Sequence, residues 1–153
     1  LQRQYSASNE LETFTQTHKI SSHTPIEDSN TVKYLQALRR GRDNENKLNE
    51  SYMRQKMGTT VLFGDIIQLL HVKSGKFVTI VPDQLARDER ENIRISLTAE
   101  GNSYSWLQLL PRFKIDREGD RILGGTEVLL KVAERPNEYI HCSEKDPPPE
   151  YFH

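Results

Sequence analysis

One pattern occurs twice in this chain and limits what the chain can fold into. The motif Gly-x-x-Ile-x-Leu at residues 64–69 returns at residues 125–130 as Gly-x-x-Val-x-Leu. Beyond it, after one extra residue, Phe77-Val78 returns as Tyr139-Ile140. In each copy the alternate apolar residues would point inward, and the glycine would allow a tight backbone turn. The repeat therefore predicts a pseudo-symmetric unit that is used at least twice.

The residues that surround the repeat read as short β-strands. Runs of β-branched, aromatic and other apolar residues alternate with turn signals such as Ser74-Gly75-Lys76 and Arg135-Pro136-Asn137. Regularly spaced short strands of this kind predict an all-β sandwich or barrel. Trp106 lies in an alternating run and is expected in the core. We predict strands at residues 60–63, 66–70, 77–81, 93–97, 105–110, 121–123, 127–132 and 138–142.

Residues 1–57 have a different character, with few large apolar side chains. Near-helical spacing of apolar residues predicts a first helix at about residues 4–18, and Pro25 predicts a break after it. Asp28 or Ser29 is expected to cap a second helix, which Gly41 is expected to interrupt. The stretch 42–51 is so polar that we predict either a solvated helix or a loose segment. Two helices with such thin apolar stripes predict an appendage rather than a separate domain.

Composition and charge exclude several classes of function. The chain has 21 basic and 22 acidic residues, so it lacks the general positive field that would hold nucleic acid or an anionic membrane. Cys142 is the single cysteine, which excludes an internal disulfide framework. The hydrophobic fraction of 35% is low and indicates a chain that is partly solvated or not a whole folding unit. The first residue, Leu1, is not methionine, and we expect a fragment.

No motif in the sequence predicts catalysis or metal binding. Adjacent His141 and Cys142 would point to opposite faces of a strand, and a structural zinc site is not expected. His71 has no recognisable nucleophile near it in sequence and reads as a strand residue. The acidic stretch 116–120 lacks the residue order of a calcium-binding loop. We therefore expect no enzyme activity, no metal and no cofactor.

A longer set of residues carries a resemblance to a known family. Residues 64–79 read GDIIQLLHVKSGKFVT, and the similarity continues through Ala99–Asn102, Ser105-Trp106 and Phe113-Lys114. Upstream, the RQYSA stretch at residues 3–7 also takes part. This set resembles the N-terminal domain of inositol trisphosphate receptors, most strongly over residues 58–130. Ryanodine receptors share the architecture, but Gln68–His71 is closer to the inositol trisphosphate branch.

The resemblance implies a particular fold and domain organisation. The family domain is a β-trefoil with a helix-turn-helix arm inserted after its first lobe. On this chain, residues 1–57 would be mostly the two-helix arm, which we call the helical arm. Residues 58–153 would be the second lobe and most of the third, truncated. The fold expected is thus all-β, an incomplete β-trefoil with an inserted arm, lacking the first lobe and the closing strand.

The resemblance also implies a function. In the family this cytosolic domain lowers the affinity of the adjacent ligand-binding core and couples ligand binding to gating of a calcium release channel in the endoplasmic reticulum membrane. The implied partners are that core, the neighbouring subunits of a homotetramer and cytosolic protein regulators. No direct ligand site, nucleic-acid contact or membrane contact is expected for this segment. A ryanodine-receptor-like domain and a free-standing β-trefoil module that binds protein or sugar stay as alternatives.

Two residues match family positions that take part in regulation, and a third residue accompanies one of them. Lys73 aligns with a surface lysine implicated in ligand affinity, although a hairpin lysine by itself reads as solvated. Phe113 aligns with an aromatic residue, usually tyrosine, on an exposed loop needed for channel opening, and Lys114 follows it as in the family. On the bare sequence, the alternation of Phe113 with Ile115 favours packing in the core. Since the tyrosine hydroxyl is lost here, an aromatic contact would survive but a hydrogen bond would not.

Overall fold

The computed structural model describes residues 4–20 and 28–142. Contacts within the chain divide it into two units, Leu1–Thr59 and Thr60–His153. The predicted break at Pro25 and the segment 143–153 lie outside the described residues.

The first unit contains two helices, α1 (Ser6–Thr17) and α2 (Ser29–Lys56). The predicted cap of α2 is confirmed, because the Asp28 carboxylate accepts hydrogen bonds from the backbone N–H groups of Asn30 and Thr31 at 3.3 and 2.9 Å. The Thr31 hydroxyl donates a further hydrogen bond to the same carboxylate, at 2.6 Å. These bonds, led by that of the Thr31 side chain, hold the pKa of Asp28 below its ordinary value.

The helix α2 runs without interruption through Gly41, so the predicted break there is wrong. The two helices pack around the buried side chains of Leu11, Leu35 and Leu38, with Phe14 and Ile20 partly buried against them. A glycine inside a helix costs about 1 kcal/mol relative to alanine. Tertiary contacts made on both sides of this position outweigh a cost of that size.

The polar stretch after Gly41 is helical and supplies two buried polar residues, Glu45 and Asn49. The Glu45 carboxylate accepts hydrogen bonds from the backbone N–H groups of Ala7 and Ser8, at 2.8 and 3.1 Å, and from the Ser8 hydroxyl at 2.9 Å. The Asn49 amide accepts from the Gln4 N–H and donates to the Gln4 carbonyl, both at 2.7 Å. The Glu45 carboxylate satisfies unpaired N–H groups in the first turn of α1, and it places a negative charge at the positive end of the helix dipole.

The second unit contains two three-stranded antiparallel sheets. One sheet has the strand order β1 (Ile66–Ile67), β5 (Leu107–Pro111) and β6 (Val128–Val132), and the other the order β2 (Leu70–His71), β3 (Lys76–Leu85) and β4 (Ile93–Thr98). A short 3-10 turn at Ser103–Ser105 precedes β5, where the sequence predicted the start of a strand.

Three predicted strands are reduced to single bridges among the described residues. Leu62 pairs with Arg121, and Tyr139 pairs with Lys131, without extending into longer ladders. The predicted strands at 60–63, 121–123 and 138–142 therefore contribute pairing at one position each. Within the described residues, neither helix is long and apolar enough to cross a membrane.

The repeat seen in the sequence is a repeat of backbone hydrogen bonds. Asp65 N–H donates to Leu62 C=O at 3.1 Å, and in the second copy Thr126 N–H donates to Leu123 C=O, also at 3.1 Å. Val78 N–H donates to Leu69 C=O at 2.9 Å, and Ile140 N–H donates to Leu130 C=O at the same distance. Gly64 and Gly125 both have positive φ angles, of 94° and 86°. These matching hydrogen bonds and φ angles confirm the prediction of a unit that is used at least twice.

Strand β5 lies between the two copies and forms the centre of the core. Leu107 is fully buried and pairs with Ile67 of the first copy and with Val132 of the second. Ile80 completes the buried cluster. Beside it, the buried hydroxyl of Thr79 lies 2.7 Å from that of Ser105, which connects β3 to the 3-10 turn. Trp106, which was expected in the core, is partly buried.

Candidate functional site

Lys73 lies in the tight turn that joins β2 to β3. The backbone N–H groups of Ser74 and Gly75 donate to the His71 carbonyl at 3.2 and 2.9 Å. The Ser74 hydroxyl lies 2.8 Å from His71 Nδ1, which closes the turn from the side-chain side. His71 is thus a strand residue that supports the turn, and Lys73 is exposed at its tip.

Phe113 lies in the loop that follows β5, and its side chain is 56% exposed. The core position that its alternation with Ile115 favoured is therefore wrong, and Ile115 is also exposed. The reason is that the ladder between β5 and β6 ends at Pro111, which pairs with Val128. Past that point the alternation no longer follows the face of a sheet. Phe113 presents an aromatic ring to solvent, and Lys114 beside it is exposed as well.

The far end of this loop is attached to a buried residue, Phe63, which is 2% exposed. Phe63 N–H donates to the Asp120 carbonyl at 2.9 Å, and Gly119 N–H donates to the Phe63 carbonyl at 2.8 Å. The Asp120 carboxylate in turn accepts from Arg117 N–H at 2.8 Å. The loop that carries Phe113 is thereby tied to the core by main-chain hydrogen bonds.

Gly64 allows the same loop to approach the chain closely. A Cβ atom at Gly64 would lie 2.5 Å from Cγ of Glu118, and the φ angle of 94° is one that L-residues rarely adopt. Real carbon atoms do not approach so closely, so any larger residue at this position would displace Glu118. Gly64 therefore has two functions. Its positive φ angle belongs to the repeated turn, and its lack of a side chain leaves room for Glu118 of the loop.

The near end of the loop is held by an ion pair. Arg112 Nε lies 2.9 Å from Oε2 of Glu127, the residue that precedes β6. The Arg112 guanidinium also lies 6.0 Å from the centroid of the Phe113 ring, at the outer limit of a cation–π contact. Both partners of the ion pair are more than half exposed, so it contributes at most about 1 kcal/mol. The ion pair connects the start of the loop to the residue that precedes β6.

The three residues singled out in the sequence form two separate surfaces. Phe113 and Lys114 share the loop after β5, whereas Lys73 lies at a turn of the other sheet. No hydrogen bond or ion pair among residues 28–142 joins Lys73 to that loop. Sequence reasoning singled out these three positions but not Phe63 and Glu118, because their contacts to the loop are not local.

Glu45 and Asn49 are a further pair that sequence reasoning missed. Both continue the spacing of Leu35 and Leu38 along α2, at the i, i+3 and i+4 positions of one helix face. Polar residues at apolar positions of a stripe could have signalled a buried hydrogen-bonding role. Their partners lie in residues 4–8, and nothing in the local sequence reveals that contact.

Metal binding and acid–base chemistry have little support in the described part of the chain. No group of three or more His, Cys, Asp and Glu side chains there could hold a metal ion. His141 Nε2 lies 3.6 Å from the Glu89 carboxylate, on the wall of a cleft of about 400 Å³. Glu138, on the same wall, has its pKa held below the ordinary value, chiefly by its hydrogen bond from the Arg135 side chain. The Glu138 carboxylate is thus paired with Arg135, a residue of the same turn.

The fold and site define a β protein with a repeated unit and a pair of helices. Its candidate site residues Lys73, Phe113 and Lys114 are exposed in a turn and a loop. The chain matches the family described as inositol 1,4,5-trisphosphate/ryanodine receptor over residues 4–149. It is 32% identical over 96 residues to the inositol 1,4,5-trisphosphate receptor itr-1 of Caenorhabditis elegans, covering 63% of this chain. The chain belongs to the inositol 1,4,5-trisphosphate/ryanodine receptor family.

These findings confirm the resemblance to the N-terminal domain of inositol trisphosphate receptors that the sequence indicated. The family is one of receptors, in agreement with the expectation that the chain is not an enzyme. The matched region corresponds to 3% of the length of the nematode receptor.

Proposed function

We propose that this chain is part of the N-terminal cytosolic regulatory domain of an inositol trisphosphate-gated calcium release channel. In this role it modulates ligand affinity and couples ligand binding to gating. The parent channel would lie in the endoplasmic reticulum membrane, with this segment on the cytosolic side. The proposed partners are the adjacent ligand-binding core of the same polypeptide, the neighbouring subunits of a homotetramer and cytosolic protein regulators. Family membership and the exposed Phe113 loop support the proposal.

The observation that carries the coupling role is the contrast between an exposed ring and a fixed loop. Phe113 is exposed, yet its loop is tied to Phe63 by two main-chain hydrogen bonds and to Glu127 by Arg112. An exposed aromatic residue on a fixed loop can contact a partner without a large ordering cost. Coupling also needs differential contacts in two states, and a surface contact of this kind can supply them.

An incomplete β-trefoil is the fold that we propose for the second unit. Two copies of a repeat with matching hydrogen bonds agree with two lobes of a three-fold pseudo-symmetric fold. The two helices would be the arm inserted after the first lobe. The alternatives are a ryanodine-receptor-like domain and a free-standing trefoil module that binds protein or sugar. A cooperative melt of the isolated chain as a monomer would favour the free-standing module.

The test of the coupling role uses the full-length channel with Phe113→Ala. We expect ligand-evoked calcium release to fall at least about tenfold while ligand affinity stays within about twofold, because the ring is exposed and its loss leaves the fold intact. Ile115→Ala, which removes a neighbouring exposed side chain, is the matched control. Unchanged release in Phe113→Ala would remove the coupling role from this residue. Phe113→Tyr should keep full release if the contact is aromatic.

Lys73 is proposed to act on ligand affinity instead. Lys73→Ala in the same channel is the companion measurement, with Lys76→Ala as the matched control. If Lys73 acts separately from the loop, ligand affinity should change while the ratio of release to occupancy is kept. Equal effects of Lys73→Ala and Lys76→Ala on ligand affinity would indicate a general effect of charge.

A further inference from the structure

The outer face of α2 carries a regular line of positive charge. Lys33, Arg40, Lys47 and Arg54 follow each other at every seventh position, and all four are exposed. Seven residues make almost two turns of an α-helix, so each residue of the series points within about 20° of the one before it and lies about 10.5 Å further along the axis. The four side chains therefore form one stripe, about 31 Å long. We call these four residues the basic stripe.

The basic stripe lies opposite to the face that packs against α1. Leu35, Leu38, Glu45 and Asn49 face α1 and are buried, and at about 100° per residue their mean direction is roughly opposite to that of the stripe. The contact between the two helices therefore leaves the stripe uncovered. Of the neighbouring basic residues Arg39, Arg40 and Arg42, the stripe includes Arg40.

The acidic residues near the basic stripe are engaged within the helix. Asp43 lies 2.9 Å from Arg42, and Glu50 lies 3.9 Å from Arg54. Among the described residues, no ion pair involves Lys33, Arg40 or Lys47. Within residues 4–20 and 28–59, three positive charges of the stripe are thus left without a carboxylate partner, although the chain as a whole has a formal net charge of −1.

The side chains between these charges indicate the kind of partner. Gln36, Ala37, Asn44 and Ser51 lie along the stripe and are exposed, small or polar. Leu48 lies beside it and is 72% exposed, so it offers one apolar contact. Insertion into a lipid surface needs a broad apolar face, which this helix face does not have. A protein surface with negative charges at matching intervals meets these requirements.

We propose that the basic stripe of α2 docks an acidic α-helix of a partner protein, in which a carboxylate recurs at every seventh position. Such a helix presents its carboxylates at the same interval of about 10.5 Å, so that all four ion pairs form in one side-by-side arrangement. Leu48 then packs at the edge of the contact. The inference concerns a surface remote in sequence from Phe113 and Lys73, and it does not rest on the proposed function.

The test measures binding of a labelled helical peptide to the whole chain by fluorescence anisotropy. The probe is an alanine- and glutamine-rich peptide of four heptads, with glutamate at every seventh position. A second peptide has the same composition with the glutamates distributed around the helix. We expect the first peptide to bind at least about tenfold more tightly than the second, and its affinity to fall as salt is raised, because matched exposed charges act together.

Charge reversal on the protein distinguishes the stripe from general attraction. The double variant Arg40→Glu/Lys47→Glu should weaken binding of the first peptide at least about tenfold, whereas Lys19→Glu/Lys56→Glu, with the same net charge, should change it less than about threefold. Circular dichroism of both variants checks that the helices are retained. Equal weakening by the two variants, or equal binding of the two peptides, would overturn the proposal. So would tighter binding of anionic phosphatidylserine vesicles than of the peptide, or self-association that the stripe variant abolishes.

Discussion

The two copies of the repeat share their backbone but differ in the chemistry of their turns. In the first copy Ser74 N–H donates to the His71 carbonyl at 3.2 Å, and in the second Arg135 N–H donates to the Val132 carbonyl at the same distance. Gly75 of the first turn has a positive φ angle of 65°, and Asn137 of the second has one of 68°. Where the first turn exposes Lys73, the second has Glu134 at the equivalent position. The repeat therefore fixes the path of the chain and leaves the turn side chains free to differ.

The copies also differ in how far the strand after each turn extends. From Lys76 the first copy continues as the ten-residue strand β3, which pairs with β4. In the second copy the described residues show a single bridge at Tyr139. One sequence pattern can thus specify a turn and the start of a strand, while the length of the pairing depends on the partner strand.

The largest effect should come from Leu107, which both copies share. Leu107→Ala leaves a cavity between Ile67 and Val132, and we expect a loss of about 3 kcal/mol or more in the free energy of unfolding. Urea denaturation of the N-terminal domain of the parent channel, with and without the substitution, measures it. Leu123→Ala, which removes an exposed side chain, should cost less than about 0.5 kcal/mol. Similar losses in the two variants would mean that β5 is not the shared core of the repeats.

The next effect separates the two glycines of the repeat. Gly64→Ala and Gly125→Ala both place a side chain at positive φ, which costs about 1–2 kcal/mol. Gly64→Ala should cost about 1 kcal/mol more, because its Cβ would also meet Glu118. Chain neighbours apart, no atom of residues 4–20 or 28–142 lies within 4 Å of a Cβ at Gly125. Urea denaturation of both variants gives the difference.

Glu118 provides the control for that difference. In a Glu118→Ala background, the Gly64→Ala substitution should cost about the same as Gly125→Ala does in the parent chain, because the obstructing side chain is gone. If the extra cost persists, the two copies differ for a reason other than the loop at Glu118.

The smallest effect is a pH dependence confined to the second turn. The Arg135 side chain holds the pKa of Glu138 below its ordinary value of 4.5. The ion pair therefore stabilises the turn above that value, and its contribution is lost as the pH falls through the lowered pKa of Glu138. In the part of the chain that the structure describes, no ion pair involves the first turn, where Lys76 occupies the position equivalent to Glu138.

An NMR titration of the Glu138 carboxyl group measures this effect. The titration midpoint should lie below 4.5 in the parent chain and return toward the ordinary value in Arg135→Gln. A midpoint that Arg135→Gln leaves unchanged would show that the ion pair does not set it. The amide signals of residues 71–76 should stay unchanged over the same pH range.

Much of the fold could be predicted from local patterns, and particular residues show where this stops. Asp28 caps α2 as expected, since a cap is formed by a side chain and the backbone two or three residues away. The turns at Gly75 and Asn137 were also marked by local residues. The continuation of α2 through Gly41 was not, because packing against α1 decides it.

The candidate site shows the same limit. Lys73 was expected at an exposed turn, and its turn residues are local. The alternation of Phe113 with Ile115 favoured the core, whereas the resemblance implied an exposed loop. The ladder that would have buried Phe113 ends at Pro111. Where a strand ends depends on its partner, here β6, which begins only at Val128, beyond the whole intervening loop. Pattern alone does not give that length.

Residue order was enough to specify the repeated unit, the two helices and the family, because each depends on neighbouring residues or on similarity. The folded chain was needed to learn that Glu45 caps α1 while Asn49 binds the backbone of Gln4 ahead of it, that Phe63 holds the loop of Phe113, and that four basic residues of α2 face away from its partner helix. Each of these depends on contacts between residues far apart in the chain, and burial and exposure are consequences of such contacts.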